Sequence, residues 1–491
     1  MYLCLQFFQC RVSCARLKPD LYLEQIGDFI VKLADFLGGY PLFFLLIGGG
    51  LYLFVRSGAV SVRCLPASVR ALRTKNGDDR TGQISSVQAL VSAVAATVGL
   101  GNIAGVAIAL TVGGPGAIFW MWVSALVGMC TKYHEGALSV MYKGRDRQGR
   151  TRGGMMYIIE NAFGPRWRFM AAFFAFAGMF GTLCILNANQ LTQAVVSAVS
   201  TPDTLAANRF LSMLGTVTGG GPETALRLII GLTIAVIVAV VVLNGVRRIA
   251  RVATVLVPFM VCVYFIMVLY IIVTHITQVP QVINTIFAQA FNLQAGVGAL
   301  AGIALTGARR AALVNEAGIG TASIMHGSSK NTEPVREGLV AMLAPALDSG
   351  FVCTCTAMAL LLCVDFTEPG QIRGLDMCME AFGKNVPFGS TLLLIVVASF
   401  ALSSMFSYSY YGTSCAAYLF GEKRARLYTW LYILSLVVFA VIPVGVAVGF
   451  TDLFYALMAI PSMTTILLLS GRVRAATKEY FSRKKTNQET K

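Results

Sequence analysis

Apolar runs close to 20 residues long recur from residue 40 to residue 470. Each is long enough to cross a bilayer core of roughly 30 Å as a helix. The pattern predicts eleven spans: 40–56, 88–110, 115–141, 167–198, 225–243, 251–276, 282–306, 334–364, 389–418, 427–445 and 450–470. The longer ones must tilt or protrude. Residues 1–39 stand apart. MYLCLQFFQCRVSCARLKPD has its basic residues after the apolar run, the reverse of a signal peptide. LYLEQIGDFIVKLADFL (21–37) is amphipathic, as expected of a helix lying in the interface. The expectation is an all-α polytopic membrane protein preceded by an N-terminal extension.

Composition agrees. Of 491 residues, 56% are hydrophobic and 13% charged, against about 25% charge in a soluble domain. This leaves no room for a separate soluble catalytic domain. The formal charge of +16 raises the question of nucleic acid in a soluble protein. Here topology accounts for it. With the first span running outside to inside, the inner loops are 57–87, 142–166, 244–250, 307–333 and 419–426, plus the tail. With their immediate flanks these hold about 30 Lys and Arg, whereas the outer loops after the first span hold Arg209, Arg227, Arg373 and Lys384. That is the positive-inside pattern. It predicts an external amino terminus, a cytoplasmic carboxyl terminus and a bilayer, not a nucleic acid, as partner. The twelve cysteines are scattered, several inside apolar segments, and read as small buried hydrophobes.

One stretch breaks the pattern. AATVGLGNIAGVA (95–107) places Gly99, Gly101 and Gly105 inside the second span, where they give up helix propensity. In lipid such a break is tolerable only where protein or a water-filled site surrounds it, and the freed backbone groups can then hold a ligand. The outer half-helix would present N–H groups to a carboxylate. The inner half would present carbonyls, with Asn102, to a small cation. The alternative is that the glycines only permit close helix packing. A dinucleotide site is excluded because no strand precedes the glycines and no acidic residue follows at the required spacing. A second interruption is read in IFAQAFNLQAGVGALAGIAL (286–305), at Phe291, Asn292, Gln294, Gly296 and Gly298. The two interrupted spans are five apart, as in an inverted repeat. The expected organisation is an extension (1–39), an extra helix (40–56), two five-helix repeats (88–276 and 282–470) and a basic tail (471–491).

Polar residues at membrane depth are the remaining candidates. Ser403 and Ser404 offer paired hydroxyls to a monovalent cation, or bond locally to the preceding turn. Asn187, Asn189 and Gln190 either line a cavity or join helices. Lys132 and Glu135, three apart, can share a face and neutralise each other, as an inner gate or a structural pair. His134 beside them is read as a packed residue. Asp348 is the one carboxylate deep in the eighth span, fit for cation coupling, a proton step or a structural bond. Arg309, Arg310 and Glu316 fall just inside, as gating or solvated charges. No Walker, HExxH or GxSxG motif stands in a convincing context. The chain is therefore read as no enzyme and no ATP-driven pump, with no cofactor. A channel would need polar groups along its whole length, and a receptor or scaffold would need a soluble region.

Several stretches are specific enough to name a resemblance: AATVGLGNIAGVA, GGPGAIFWMWVSALVGM (113–129), KYHEGALSV (132–140), GGMMYI (153–158), AFNLQAGVG (290–298), VNEAGIGTASIMHGSSK (314–330), PVREGLVAML (334–343) and MAIPSMTTILLLSG (458–471). Over roughly residues 40 to 475 the chain resembles the alanine or glycine:cation symporter family of bacteria. The first stretch is also similar to the glycine–asparagine break of the leucine-transporter fold. The resemblance implies uptake of a small neutral amino acid with sodium, less commonly a proton, across the cytoplasmic membrane, by a monomer. It implies that the substrate carboxylate meets the amides of Leu100, Gly101 and Asn102, and its ammonium meets groups near Phe291, Asn292 and Gln294. It implies a sodium site from the Ala95 and Val98 carbonyls with Ser403 and Ser404, and a second cation served by Thr97 and Asn102. Lys132, Glu135, Glu316 and Asp348 are left for gating or coupling. Two departures stand out. Many members carry threonine where Leu100 stands, and the fourth-span motif usually carries glutamine where Asn187 stands in the substrate pocket.

Overall fold

A computed structural model describes residues 32–34, 36–73, 82–145, 149, 151–200, 205, 208–218, 220–291, 297–364, 366 and 374–489. Among these the chain is helical apart from one two-residue hairpin, in which Gly144–Arg145 pairs with Thr151–Arg152. Seven helices are long and apolar enough to cross a membrane, or eight when one bent pair is counted as a span. The sequence pattern reads eleven. Three of its spans escape that criterion for visible reasons. Ala117–Met141 carries Lys132, His134 and Glu135. Glu422–Phe439 opens on a charged turn. The seventh is divided.

The principal elements are α1 (Lys32–Arg56), α2 (Ser86–Thr97), α3 (Ala104–Gly113), α4 (Ala117–Met141), α5 (Arg168–Gly181), α6 (Ile185–Val199), α7 (Gly221–Val242) and α8 (Val246–Thr274). They continue with α9 (Val279–Ala290), α10 (Val297–Asn315), α11 (Ala322–Gly327), α12 (Pro334–Cys363), α13 (Gly389–Phe420), α14 (Glu422–Phe439) and α15 (Val444–Glu489).

The expected break is present. Ser85 and Gln88 form a capping box that starts α2, satisfying helix-end amides. The helix stops at Thr97, turns through Leu100–Asn102 and resumes as α3, bent by 60°. The interruption read around Phe291–Gly298 falls between α9, which ends at Ala290, and α10, which starts at Val297, and lies largely outside the described residues; a further break follows it. The pattern put the seventh span at 282–306, its interruption around Phe291–Gly298 and an inner loop at 307–333. In the structure α10 continues to Asn315, and the chain turns at Glu316, Gly318 and Gly320, all with positive φ, before α11. Gly318 (φ 91°) and Gly320 (φ 97°) take a conformation that glycine adopts freely. The hydropathy reading failed because Arg309, Arg310, Asn315 and Glu316 look like a loop. In the fold Arg309 faces Asp452 at 3.8 Å, and Asn315 and Glu316 are buried. α9 packs instead against the start of α4, where the Trp120 indole donates to the Ala290 carbonyl at 3.2 Å.

The loops expected on one side do meet. The Gln83 amide side chain donates to the Thr151 carbonyl at 3.0 Å. The Lys143 ammonium donates to the Ser329 and Asn331 carbonyls, each at 2.7 Å. Arg152 pairs with Glu422 at 2.7 Å. This gives the molecule a basic face, with the turns after α3, α6, α8 and α12 at the other end.

α4 runs through the centre. Its first half lies along α10, where a Cβ on Gly307 would stand 2.2 Å from the Ala117 carbonyl oxygen. Such a contact requires the backbone to shift, and overpacking of this kind costs about 1–3 kcal/mol. Gly307→Ala is therefore expected to lower the thermal midpoint of the detergent-solubilised protein; an unchanged midpoint would contradict this close α4–α10 approach.

Candidate functional site

A cavity of about 120 Å³ lies beside the first break, large enough for a small solute, since a single water needs about 10–15 Å³ on this measure. Its walls are Thr97, Gly99, Leu100, Gly101 and Gly105 on one side and Leu313, Val314 and Glu316 of α10 on the other. Asn187 and Gln190 of α6, Ser404 and Tyr408 of α13, and Asp452 and Tyr455 of α15 complete it. The glycines make room: a Cβ on Gly99 would meet the Ser404 oxygen at 2.8 Å, and one on Gly101 would meet a Val314 methyl at 3.3 Å. The cavity extends from the two breaks toward the face opposite the basic one, along α3, α10 and the start of α15.

The break has its own hydrogen-bond logic. The Asn102 side-chain oxygen accepts from the Gly99 N–H at 2.9 Å. The Asn102 N–H donates to the Gly99 carbonyl at 3.1 Å, and the Ile103 N–H to the Leu100 carbonyl at 3.2 Å. Leu100 and Gly101 sit between these bonded positions at the cavity wall. The Asn102 amide donates in turn to Asp348, and its carbonyl accepts from the Thr356 hydroxyl at 2.8 Å. Asn102 was expected to face both substrate and cation. It points away from the cavity and closes the break against α12. Asp348 is fully buried there, in a widened turn spanning Ala346–Val352, and also faces Thr97.

At the end of α2 part of the expected oxygen cluster comes together, with the Ala96 carbonyl in place of the Val98 carbonyl. The Ser403 and Ser404 hydroxyls each lie 3.2 Å from the Ala95 carbonyl, and Ser404 lies 3.0 Å from the Ala96 carbonyl. These groups are about 308 residues apart in sequence. Val98, also buried, is the residue at which the α2 backbone leaves the helix.

The second break gathers the charged candidates. Lys132 and Glu135 face each other at 3.8 Å, both buried, and Glu135 faces the amides of Gly318 and Gly320. Glu316 accepts from the Thr321 hydroxyl at 2.6 Å and from the Tyr455 hydroxyl at 2.9 Å. Tyr455 is 2.6 Å from Tyr408. Glu316 is thus a buried wall of the cavity, not a loop charge. The amides of the fourth span divide: Asn187 and Gln190 line the cavity, whereas Asn189 donates to the Phe439 and Ile442 carbonyls and joins α6 to α14. Phe291 is set apart. It ends α9, is exposed and meets Phe119 edge-on at 4.8 Å, and does not line the cavity. Asn292 and Gln294 fall outside the described residues.

Sequence reasoning missed the second break, although a signal was available. Gly318-Ile319-Gly320 repeats the small–large–small pattern of Gly99-Leu100-Gly101, with Asn102 directly after the first and Asn315 three residues before the second.

Comparison with known proteins agrees with this architecture. The sodium:alanine symporter family matches residues 23–491. The chain is similar to the sodium/alanine symporter AgcS of Methanococcus maripaludis, 36% identical over 452 residues, covering 91% of this chain and 95% of that protein. It is similar to a probable sodium/glutamine symporter, GlnT, of Bacillus subtilis, 32% identical with 95% and 93% covered. Among solved structures it is similar to MhsT in complex with L-phenylalanine, with a TM-score of 0.51, 16% identity and 80% and 89% of the two chains covered. That likeness shows the fold, the one expected from the glycine–asparagine break.

Replacing Asn102 tests the cap. In Asn102→Ala the Gly99 N–H and the Asp348 carboxylate lose a partner inside the protein, at about 1–3 kcal/mol each. The expected result is a lowered thermal midpoint in detergent. An unchanged midpoint would show that the break is held by something else.

Proposed function

The chain belongs to the sodium:alanine symporter family, and from that premise, which makes it a cation-coupled amino-acid carrier, we propose that it imports alanine or glycine with sodium by alternating access. The observation that carries this is a shared element. The end of α2 supplies carbonyls to the Ser403–Ser404 cluster, and the residues that follow, Gly99–Gly101, form the cavity wall. Sodium at the cluster orders the end of α2. The amides at Leu100 and Gly101 are then preorganised for the substrate carboxylate. Each ligand tightens the other, because such coupling is reciprocal. Closing the cavity on its open side and opening the basic side releases both into the cytoplasm.

The size of the substrate follows from the cavity. About 120 Å³, walled by Val314 and Leu100, suits an amino acid whose side chain has no more than one or two heavy atoms. The glutamine named for the Bacillus subtilis relative is larger, so Val314 and the short amide of Asn187 favour alanine or glycine here. The basic face is assigned to the cytoplasm by the positive-inside pattern, with the bilayer as the protein's medium. The repeats at 88–276 and 282–470 place the two breaks at corresponding helices.

A second reading, proton coupling, is favoured by one observation: Asp348 is fully buried and bonded through Asn102 to the first break. Labelled-alanine uptake into proteoliposomes separates the two. An inward sodium gradient is expected to drive accumulation above equilibrium, and an equal potassium gradient is not. Uptake that ignores sodium but collapses with the pH gradient overturns the sodium assignment. Ser403→Ala with Ser404→Ala is expected to raise the half-saturating sodium concentration about tenfold or more, which corresponds to 1.4 kcal/mol. Gly101→Leu is expected to abolish uptake, since the added side chain enters the cavity.

A further inference from the structure

The cavity stops at the level of the two breaks. Beyond them, toward the basic face, lie α2 before Ala96 and the short helix α11, and no residue of either lines the cavity. One carboxylate joins them. Glu337, in the first turn of α12, is fully buried. Its Oε2 accepts from the Ser86 hydroxyl at 2.6 Å and from the Asn331 amide at 2.9 Å. Its Oε1 accepts from His326 Nδ1 at 2.7 Å. Ser86 is the first residue of α2, His326 lies in α11, and Asn331 lies in the turn between α11 and α12. The donors therefore come from the basic-face halves of both interrupted helices. Backbone bonds run alongside: the Gln83 N–H to the Ser328 carbonyl at 3.0 Å and the Lys330 N–H to the Ile84 carbonyl at 2.8 Å.

Two features set this layer apart from ordinary packing. Glu337 stands on a fixed support, because α12 is pressed onto α4: a Cβ on Gly136 would lie 2.6 Å from the Ala341 Cβ, and one on Gly338 would lie 2.6 Å from the Tyr133 carbonyl oxygen. Its partners belong to helix halves that must part before a solute in the cavity can leave on the basic side. The layer is also short of hydrogen bonds. His326 Nε2 and the Ser329 hydroxyl are buried without a partner. Buried polar atoms left so are costly, and water entering the layer would satisfy both.

We propose that Glu337 is a positioning residue of the transport cycle: its carboxylate, through Ser86 and His326, holds the basic-face halves of the two interrupted helices together and keeps the cavity shut on that side. This rests on the alternating-access reading but not on the identity of the amino acid or the ion. A residue that served stability alone would affect access from both faces alike. The latch acts on one.

The test reads sidedness in the full chain. Leu186, a cavity-lining residue, is replaced by cysteine (Leu186→Cys) in a Cys184→Ala background. The protein is reconstituted in vesicles of known orientation and exposed to a membrane-impermeant maleimide, with Cys184→Ala alone giving the background from other cysteines. With Glu337 intact, labelling is expected from the face opposite the basic one. Glu337→Gln is expected to raise labelling from the basic face at least about fivefold, the lower end of usual coupling effects, and to lower it from the other. Ser86→Ala removes one donor of three and is expected to shift labelling the same way by less; it carries the test should Glu337→Gln not fold. Unchanged sidedness in folded Ser86→Ala and Glu337→Gln protein overturns the proposal. Because the readout uses no substrate, a failure of sodium-driven alanine uptake is a separate result. Intact uptake with unchanged sidedness counts against the latch alone.

Discussion

A backbone N–H or C=O inside a bilayer has no water to turn to, so a helix there can be interrupted only where other protein groups replace its bonds. The site depends on that constraint being met twice, by different means. At the first break Asn102 replaces helix partners, accepting from Gly99 with its side chain while its own backbone reaches back to the same residue. At the second, Asn315 accepts from the Ala317 N–H at 3.0 Å, and Glu316 takes the Thr321 hydroxyl. At both breaks an asparagine within a few residues of a glycine pair accepts a local backbone N–H. The space between them is then free to be a cavity.

The same constraint explains the buried charges. A charge in the membrane interior is costly unless paired or hydrogen-bonded. Each carboxylate here is attached to a place where the backbone is irregular. Asp348 is held by Asn102 of the first break. Glu316 is part of the second, and Glu135, paired with Lys132, faces its glycine amides. Glu337 joins the segments beyond both breaks. The donors to Asp348, Glu316 and Glu337 are side chains, and those to Glu135 are backbone amides. The carboxylates in turn steady segments that lack helical bonds. Removing the breaks would orphan the charges, and removing the charges would loosen the breaks.

The sequence made the first break legible because Gly99, Gly101 and Gly105 stand in an otherwise apolar run. It made the serine pair legible because two hydroxyls in a spanning helix call for partners. It could not show that those partners would be the Ala95 and Ala96 carbonyls, a contact across about 308 residues. The second break was missed for a related reason. Hydropathy weighs a residue by itself, whereas Arg309, Asn315 and Glu316 are tolerated through partners that only the fold supplies. Phe291 does end α9, but its ring meets Phe119 and does not line the cavity. The basic loops, by contrast, were read as sharing one side, and several of them do meet, because charge distribution follows topology and needs no knowledge of contacts.

The proposed coupling of two solutes rests on economy of position. The last turn of α2 contributes carbonyls on its α13 side at Ala95 and Ala96, and the turn that follows contributes the cavity wall at Gly99–Gly101. A cation on the carbonyls and an anion on the amides would meet neighbouring peptide groups of one short stretch of backbone. They need not touch to help one another, because each fixes backbone that the other requires. Glycine at 99 keeps that turn narrow enough for Ser404 to approach both sides of it, since any Cβ there would stand 2.8 Å from the Ser404 oxygen. The flexible residues that looked out of place in a spanning helix are therefore what brings the hydroxyl, the carbonyls and the cavity within one turn of each other.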